Sequence, residues 1–457
     1  LCTVGSFLMN FVEELAGKNC LVIGAGVTGM AVQRALVKFG AISKMFDENR
    51  DNSQDVVNNI SDGIELAIVS PGWHPDHKVI EKIRSSGVKL ISEIDFAWNV
   101  KQVIAPQQKW IALSGTNGKT TTIKMVESIF KAANINGKAC GNVGETVIDS
   151  VCSSQPFDYL ALELSSFQIE WSNLAKFEAI ALLNISEDHI DWHGSYEKYI
   201  NAKLKLAKLG EIVIANKSDP ELLDRLSSSS TIWYSLGTPA PGELGIVENL
   251  LIDRAFSGSP SSAHEIAELT DVSPSVPHNV SNALAASALA LSIGIDYEFI
   301  KKGLQQFRPD HHRMELILDK DQVKWIDDSK ATNPHAAIAS ILSNFNVIWI
   351  AGGLAKGASM DLLAEKCINR LKAVILIGED RELIAKSILA LKENIELRRI
   401  DKTHDTNQLM QDVVKQAKSL ANPGDTVLLA PACASMDQFT SYVERGQLFQ
   451  KAVRELV

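Results

Sequence analysis

Short apolar runs alternate with amphipathic stretches along the whole chain. The first run, Asn19–Ile23, leads into the glycine-rich loop Gly24–Gly29 and then into the segment 31–40, whose apolar positions recur at helical spacing. Later apolar runs likewise end in polar or glycine-rich loops. Because strand, loop and helix recur in this order, the pattern predicts an α/β protein with mainly parallel sheets.

Two interruptions divide this pattern into three blocks. The segment 103–110 contains a proline and paired glutamines, and the segment 307–310 lies beyond the helical pattern of 278–294. A chain of 457 residues is also too long for a single domain with one core, since domains have about 150 residues. We therefore predict a Rossmann-like domain over 1–105, a central P-loop ATPase-type domain with a mainly parallel sheet over 106–309, and a second Rossmann-like domain over 310–457.

Composition and charge narrow the range of partners. The formal net charge is −10 and no long basic stripe occurs, so we expect no nucleic-acid partner. No apolar run reaches the ~18 residues of a membrane span, and the start lacks the features of a signal peptide, with Met9 as an alternative start. The six cysteines, Cys2 among them, are scattered and form no C-x-x-C pair. We therefore expect a cytoplasmic protein without a membrane partner.

The loop 115–121 has the composition of a phosphate-binding loop. It follows an apolar run, precedes a helical pattern and reads GTNGKTT. Such a turn presents backbone N–H groups to an anion, its lysine reaches the phosphates, and its Ser/Thr hydroxyl binds Mg²⁺. Leu113 replaces the first glycine of the usual motif, so a chance Gly-Lys-Thr at a helix start is the alternative. The loop residues are Gly115, Thr116, Asn117, Gly118, Lys119, Thr120 and Thr121.

A second glycine-rich loop lies in the first block. Gly24–Gly29 is a complete G-x-G-x-x-G between a strand and a helix, and Asp47 closes the next strand. This pattern is typical of NAD or FAD binding. It also occurs where another nucleotide binds, or where a strand and a helix meet in a tight turn. The P-loop in the next block weakens the dehydrogenase interpretation.

Two more polar residues close apolar runs of the second block. Glu163 ends the run that begins at Tyr159, and His189 follows the run 177–186. If these strands are neighbours of the P-loop strand, all three loops meet at one edge of the sheet. Oxygen and imidazole ligands beside a triphosphate indicate a Mg²⁺ site. The alternatives are a capping role for Glu163 and an ordinary polar loop for His189.

Lys203 lies on the apolar face of a predicted helix over 196–209. At 100° per residue it shares that face with two tyrosines, whereas Lys198, Lys205 and Lys208 fall away from it. A buried amine has a lowered pKa, and the neutral form can react with CO₂ to give a carbamate, an oxygen ligand for Mg²⁺. The alternative is a lysine whose amine extends past the tyrosines to solvent.

The chain resembles the Mur ligase family over nearly its whole length. The matching segments, in order, are ALSGTNGKTTT, ALELSSFQIE, LLNISEDHIDWHG, HNVSNALAA, DDSKATNPHA and LLAPACASMDQF. DSKATN and PACASMDQF favour the branch that adds D-glutamate. The resemblance implies a ligase that uses ATP to activate the L-alanyl carboxylate of UDP-N-acetylmuramoyl-L-alanine, which D-glutamate then attacks. It also implies that the three domains bind the UDP-sugar, ATP and D-glutamate in turn.

The resemblance implies roles for particular residues. Lys119, Glu163, His189 and Lys203 are catalytic: Thr120 and Glu163 hold one Mg²⁺, and His189 with a CO₂-derived carbamate on Lys203 holds a second. ATP is bound by the P-loop together with Asn282, Arg313 and Asp328. The UDP-sugar is bound by Gly26, Val27, Thr28, Asp47, Gly72 and Asn142. D-glutamate is bound by Thr332, Lys356, Ser435, Met436 and Tyr442.

Three other functions compete with this one. A sister ligase would add another amino acid, and an NAD-dependent oxidoreductase would use the Gly24–Gly29 loop but leave Glu163 and His189 unexplained. A non-catalytic nucleotide switch would be expected to lack Lys119, His189 or Lys203. One departure from the family is Ala355, where relatives often have Asp or Gly. We expect a monomer that acts on small molecules.

Overall fold

A computed structural model describes residues 11–48, 63–226, 230–259 and 261–457. Cys2 and the alternative start at Met9 lie outside the described residues. The chain divides into two compact units, one of residues 1–272 with 279–307 and one of residues 273–278 with 308–457. The division into three domains stays a prediction. In the described part of the chain, no helix has both the length and the apolarity to cross a membrane.

The first unit contains two sheets, of which the smaller has four parallel strands in the order β2-β1-β3-β4. Its glycine loop permits close packing, because a Cβ on Gly29 would lie 1.8 Å from the carbonyl oxygen of Gly24. The strands are β1 Asn19–Ile23, β2 Ile42–Phe46, β3 Leu66–Val69 and β4 Lys89–Ser92, and the helices are α1 Val27–Lys38, α2 Lys78–Ser85 and α3 Glu93–Ile104.

The larger sheet has nine strands in the order β13-β12-β11-β10-β9-β8-β5-β7-β6. The strand pairs from β6 to β11 are parallel, and the β11–β12 and β12–β13 pairs are antiparallel. The strands are β5 Lys109–Ser114, β6 Gly137–Gly141, β7 Tyr159–Glu163, β8 Phe177–Leu182, β9 Gly210–Asn216, β10 Thr231–Tyr234, β11 Glu243–Val247, β12 Leu250–Asp253 and β13 His264–Glu268.

Helices cover both faces of this sheet. The longest, α10, is buried along most of its length, which explains why its sequence is apolar on nearly every side. The helices are α4 Lys119–Ala132, α5 Val147–Val151, α6 Ser166–Trp171, α7 Ile190–His193, α8 Tyr196–Leu204, α9 Pro220–Arg225, α10 Pro277–Ser292 and α11 Tyr297–Gln306.

The second unit has one sheet of six strands in the order β14-β15-β19-β16-β17-β18, parallel except for the β14–β15 pair. Apolar clusters fill both faces of this sheet. The elements are β14 Glu315–Lys320, β15 Val323–Asp327, α12 Pro334–Leu342, β16 Val347–Gly352, α13 Asp361–Cys367, β17 Leu371–Ile377, α14 Arg381–Leu391, β18 Glu396–Arg399, α15 Thr406–Leu420, β19 Thr426–Leu429 and α16 Tyr442–Leu456.

Candidate active site

Three loops of the first unit meet at one edge of the large sheet. Strand β5 lies between β7 and β8, so the P-loop, Glu163 and the segment before His189 follow adjacent strands. Asn184 joins two of these loops, because its side-chain oxygen accepts from the Asn117 N–H at 2.8 Å and its amide donates to the Asn117 carbonyl at 3.0 Å. The arrangement brings together the residues that the sequence predicts for phosphate and metal.

The P-loop adopts a conformation that only glycine tolerates well. Gly118 has φ of +84° and precedes the first residue of α4. A Cβ at Gly118 would lie 2.4 Å from Oδ1 of Asn282, so this buried side chain packs directly against the loop. The amine of Lys119 donates to the carbonyls of Gly115 and Thr116 at 2.8 and 2.9 Å. Asn282, which the sequence assigns to ATP, therefore lies beside the predicted phosphate loop.

Glu163 is a buried carboxylate with one unsatisfied oxygen. Its side chain is only 1% exposed, and Oε1 accepts from the Asn142 amide at 3.1 Å. Oε2 is buried without a hydrogen-bond partner. A buried carboxylate oxygen without a donor is costly. The side chain is therefore suited to a cation, and the hydroxyl-bearing Thr120 is the second residue of α4, the helix that follows the adjacent strand β5.

Lys203 is buried on the apolar face of its helix, so its amine does not extend past the tyrosines to solvent. Its side chain is 2% exposed, its amine donates to the Gly115 carbonyl at 2.9 Å, and it lies 4.9 Å from the ring centre of Tyr199. Burial holds the pKa of this amine well below its usual range, and the nearby Lys119 ammonium lowers it further. The amine therefore has access to its neutral, nucleophilic form.

The helix that carries Lys203 is shorter than the sequence pattern predicts. It ends at Leu204, and a 3₁₀ turn covers Lys205–Lys208. Because of this turn, the Lys205 amine donates to the Glu170 carbonyl at 2.6 Å instead of lying free in solvent. The sequence pattern turns Lys205 away from the apolar face and predicts its amine in solvent; this prediction is wrong, since Lys205 is half-buried and Lys208 is the more exposed neighbour.

His189 immediately precedes the short helix α7 and has φ of +53°. Its ring lies 4.8 Å from that of Phe167, which α6 carries. Partial burial lowers the pKa of the imidazole, and the Lys119 and Lys203 amines lower it further, against the opposing effect of Asp188. A neutral imidazole has a lone pair available for a metal ion.

The predicted UDP-sugar residues lie in the first unit, on its loops and at the start of α1. Asp47 accepts from the Ala25 N–H at 2.7 Å, so the acidic residue holds the glycine loop. Gly26 in that loop and Val27, the first residue of α1, are exposed, and Thr28 is half-buried. The carbonyl of Gly72 accepts from the indole of Trp192 at 3.1 Å. Trp192 is thus linked both to this loop and to the segment of His189, which the sequence analysis did not anticipate.

The second unit carries the predicted D-glutamate residues on three loops. Thr332 follows β15, Lys356 follows β16, and Ser435, with the exposed Met436, follows β19. Tyr442 begins α16, and the Lys330 amine lies 4.1 Å from its ring centre. These three strands are adjacent in the sheet. The loops of Lys356 and Ser435 are joined because Leu354 and Ala434 exchange backbone hydrogen bonds.

The loop that contains Ala355 has an acidic partner from another loop. The backbone N–H of Ala355 donates to Asp380 Oδ2 at 2.7 Å. A carboxylate from the loop after β17 therefore supports the segment in which relatives often have an acidic residue. The side chain of Lys356 remains exposed.

Arg445 is a buried cation that the sequence analysis missed. It is fully buried on α16, where its guanidinium donates to the carbonyls of Ser329, Cys433 and Gly352 and to the Ser329 hydroxyl. These acceptors lie on the three loops of the D-glutamate residues. An arginine in an amphipathic helix usually lies on the solvent face, so the sequence contained no signal for this role.

Two predicted ATP residues also lie in the second unit. Asp328 accepts from the Met314 N–H at 3.3 Å and from the Ser340 hydroxyl, and burial raises its pKa to about 6. Arg313 precedes Met314 and is half-buried. The Asp328 side chain is therefore linked, within this unit, to the backbone of the residue that follows Arg313. Asn282 and the P-loop belong to the first unit.

A phosphate loop, a buried carboxylate with an open oxygen and a buried lysine amine at adjoining strand ends define a phosphate-loop ATP enzyme of the α/β class. Residues 113–290 match the model of the Mur ligase middle domain, and residues 312–433 match that of the Mur ligase glutamate ligase domain. The chain belongs to the Mur ligase family.

Relatives align over nearly the whole chain. The UDP-N-acetylmuramoylalanine--D-glutamate ligase of Thermobifida fusca is 42% identical, with 97% of this chain and 99% of that protein covered. The Mycobacterium bovis ligase of the same name is 35% identical, with 96% of each covered.

Solved structures show the same fold at low sequence identity. The MurF ligase of Thermotoga maritima in complex with ADP superposes with a TM-score of 0.58 at 15% identity, covering 98% of this chain and 97% of that one. A pseudomurein peptide ligase type C of Methanothermus fervidus gives 0.63 at 18%, covering 96% and 100%. The predicted fold class, Rossmann-like and P-loop sheets of mainly parallel strands, is confirmed.

Proposed function

We propose that the chain joins D-glutamate to the L-alanyl carboxylate of UDP-N-acetylmuramoyl-L-alanine at the expense of ATP. This reaction builds peptidoglycan precursors. The observation that carries the proposal is the cluster of Lys119, Glu163 and Lys203 at adjoining strand ends. The relatives named for this activity, at 35–42% identity, support the choice of substrates.

The P-loop binds ATP through backbone N–H groups at the start of α4, where the helix dipole favours anions. The Lys119 amine exchanges the Gly115 and Thr116 carbonyls for phosphate oxygens. Asn282 packs on Gly118 and meets the adenine, and Arg313 and Asp328 contact the phosphate and ribose. A carboxylate and a triphosphate repel each other, so the cationic side chains lower the barrier by drawing them together.

The donor set fits Mg²⁺, which prefers oxygen ligands. The unpaired Oε2 of Glu163 and the Thr120 hydroxyl would hold one ion, and His189 with Lys203 a second. When bound, Mg²⁺ neutralises phosphate charge and polarises the γ-phosphoryl group.

The second ion requires a chemical change at Lys203, because an amine at its ordinary pKa is a cation. The neutral amine attacks CO₂, forms an N–C bond and loses a proton, which leaves a carbamate with two oxygen donors. Burial of Lys203 and the Lys119 charge both favour the neutral amine. The carbamate group would therefore make Lys203 an anionic oxygen ligand.

The reaction proceeds in two transfers. A carboxylate oxygen of the L-alanyl group attacks the γ-phosphorus, the bond to the β-phosphate oxygen breaks, and ADP leaves. The free amine of D-glutamate then attacks the acyl carbon, and the tetrahedral intermediate expels phosphate and loses a proton. Lys356 offers a cation to the D-glutamate carboxylates, and Thr332 and Ser435 offer hydroxyl groups, with Met436 and Tyr442 beside them.

The UDP-sugar occupies the loops of the first unit. Gly26, Val27, Thr28, Asp47 and Gly72 bind its uridine diphosphate end. We propose that Asn142 contacts the substrate near the metal, which its hydrogen bond to Glu163 supports. We further propose that the protein acts as a monomer in the cytoplasm, where nucleotide sugars and ATP are available.

Phosphate release from ATP tests the proposal directly. Release is measured with UDP-N-acetylmuramoyl-L-alanine and D-glutamate, with each omitted in turn, and with L-glutamate in place of D-glutamate. Lys119→Ala removes the phosphate-binding amine, and the exposed Lys131→Ala on the same helix is the matched control. We expect release only with all three substrates, and its loss in Lys119→Ala alone.

Other outcomes would redirect the assignment. Release that requires a different amino acid would retain the mechanism and indicate a sister ligase. An absence of release in the presence of Mg²⁺ and CO₂ would refute the proposed activity.

A further inference from the structure

A buried polar cluster of the second unit has no part in the proposed reaction. It consists of His312, Glu315, Asp327 and Gln450, which we call the His312 cluster. His312 Nδ1 lies 2.6 Å from Asp327 Oδ2, and the two side chains are 5% and 0% exposed. The Gln450 amide donates to Glu315 at 2.9 Å and to Asp327 at 3.0 Å. Its members come from β14, β15 and α16 and from the segment that precedes β14.

The packing requires this close approach. A Cβ on Gly446 of α16 would lie 2.2 Å from His312 Nδ1 and 2.8 Å from Asp327 Oδ2. His312 itself has φ of +65°, a conformation that is uncommon for residues other than glycine and carries a backbone cost. The contact therefore depends on a glycine at position 446 and on a strained backbone at His312. Both features indicate that the fold holds His312 and Asp327 in one geometry.

The cluster does not have the arrangement of a metal site. The side-chain atoms of His312, Glu315 and Asp327 that could bind a metal ion lie within 4.8 Å of one another. However, the amide nitrogen of Gln450 occupies the space between them and donates to both carboxylates. The cluster is therefore satisfied by hydrogen bonds.

The pair joins two segments that carry predicted ATP residues. Arg313 is adjacent to His312, and Asp328 is adjacent to Asp327. The His312 carbonyl accepts from the Lys330 N–H at 3.2 Å. Movement of His312 away from Asp327 would therefore change the separation of Arg313 and Asp328.

The charged groups around His312 favour its protonated form. Asp327 and Glu315 face it as carboxylates, and the neutral Gln450 lies against its ring. Arg454 donates to the side-chain oxygen of Gln450 at 3.2 Å. His311 is hydrogen-bonded to the carboxylate oxygen of Glu315 that does not accept from Gln450. The Asp327 hydrogen bond raises the pKa of His312 above its ordinary value, against the effect of burial.

We infer that His312 and Asp327 are positioning residues that, as an ion pair, set Arg313 and Asp328 for ATP, an inference that rests on the proposed function. Both residues act through their neighbours Arg313 and Asp328. The imidazolium is present below the folded pKa and is lost as pH rises through it. Affinity for ATP therefore falls as pH rises through a value above that of a free histidine.

Two variants remove the charge and preserve the shape. His312→Asn places an amide nitrogen near the Nδ1 position, and asparagine tolerates positive φ. Asp327→Asn keeps an acceptor for the Ser329 N–H. His311→Asn is the matched control, because the same substitution then falls on a neighbouring exposed side chain. KM for ATP, for the UDP-sugar and for D-glutamate, and kcat, are measured from pH 6 to 9 on the full chain.

In His312→Asn we expect KM for ATP to rise by about ten- to a hundredfold, as misplaced binding groups do. The KM values of the other substrates should change less. The wild-type rise in this KM with pH should disappear in His312→Asn and shift to lower pH in Asp327→Asn. His311→Asn should match the wild type.

Two outcomes would overturn the inference. An unchanged KM for ATP with an unchanged pH profile in either variant would refute it, and so would equal losses in all parameters with a lower Tm, since that pattern indicates a structural role alone. If His312→Asn fails to fold, Asp327→Asn and the wild-type pH profile decide. A wild-type enzyme without turnover would instead contradict the proposed function.

Discussion

The replacement of Arg445 by methionine tests how the D-glutamate site is held together. Arg445 donates to Ser329 O at 2.9 Å, to Cys433 O at 3.2 Å and to Gly352 O at 3.5 Å, and thereby joins three loops. Methionine retains the volume of the aliphatic stem but removes every donor. The loops of Thr332 and Lys356 should then lose their common support.

The expected loss of stability has two opposing contributions. Hydrogen bonds from a charged group each contribute about 1.5–3 kcal/mol, and the abandoned carbonyls remain buried. Burial, in turn, lowers the pKa of Arg445 to about 10, which corresponds to a cost of about 3 kcal/mol for the charged form. Methionine avoids that cost. We expect a net loss of about 2–4 kcal/mol, and a fall in Tm of about 5–15 °C.

The assay combines thermal unfolding with the KM for D-glutamate. We expect this KM to rise by about tenfold or more, whereas the KM for the UDP-sugar should stay close to wild type. Arg445→Lys should recover little, because an ammonium cannot reach three divergent carbonyls as a guanidinium does. Wild-type Tm and wild-type KM for D-glutamate in Arg445→Met would refute this reasoning.

Two further predictions concern buried ionisable groups of the first unit. Lys203→Ala should abolish most phosphate release, and short carboxylic acids should restore part of it by replacing the carbamate oxygens; Lys208→Ala is the control, and full activity in Lys203→Ala would exclude the carbamate. Glu93 accepts from Gln168 at 3.1 Å, and burial raises its pKa to about 7. A raised carboxyl pKa stabilises the fold at low pH and loses that contribution as pH rises towards 7, by up to ~3 kcal/mol. Across pH 5–8, the Tm of Glu93→Gln should therefore fall less than that of the wild type, and parallel curves would contradict this assignment.

The sequence predicted the parts of the site that depend on local pattern. Strand–loop–helix order, the GTNGKTT loop and the position of Lys203 in an apolar stripe are all local, since neighbouring residues determine backbone conformation and helical face. The periodicity placed Lys203 on the apolar face of its helix but left open whether its amine extends past the tyrosines to solvent, and the structure shows that it is buried. The end of that helix did not follow from the periodicity either, because the 3₁₀ turn at Lys205–Lys208 places the Lys205 amine on the Glu170 carbonyl.

What the sequence by itself determined is the fold class, the family and the residues that could hold ATP and its metal ions. Only the tertiary structure placed β5 between β7 and β8, left one oxygen of Glu163 without a partner, and buried Arg445 among three loops. The His312–Asp327 pair belongs to the same group. These features join residues that are distant along the chain, and the cost of burying a charge depends on its surroundings in three dimensions, which no local pattern records.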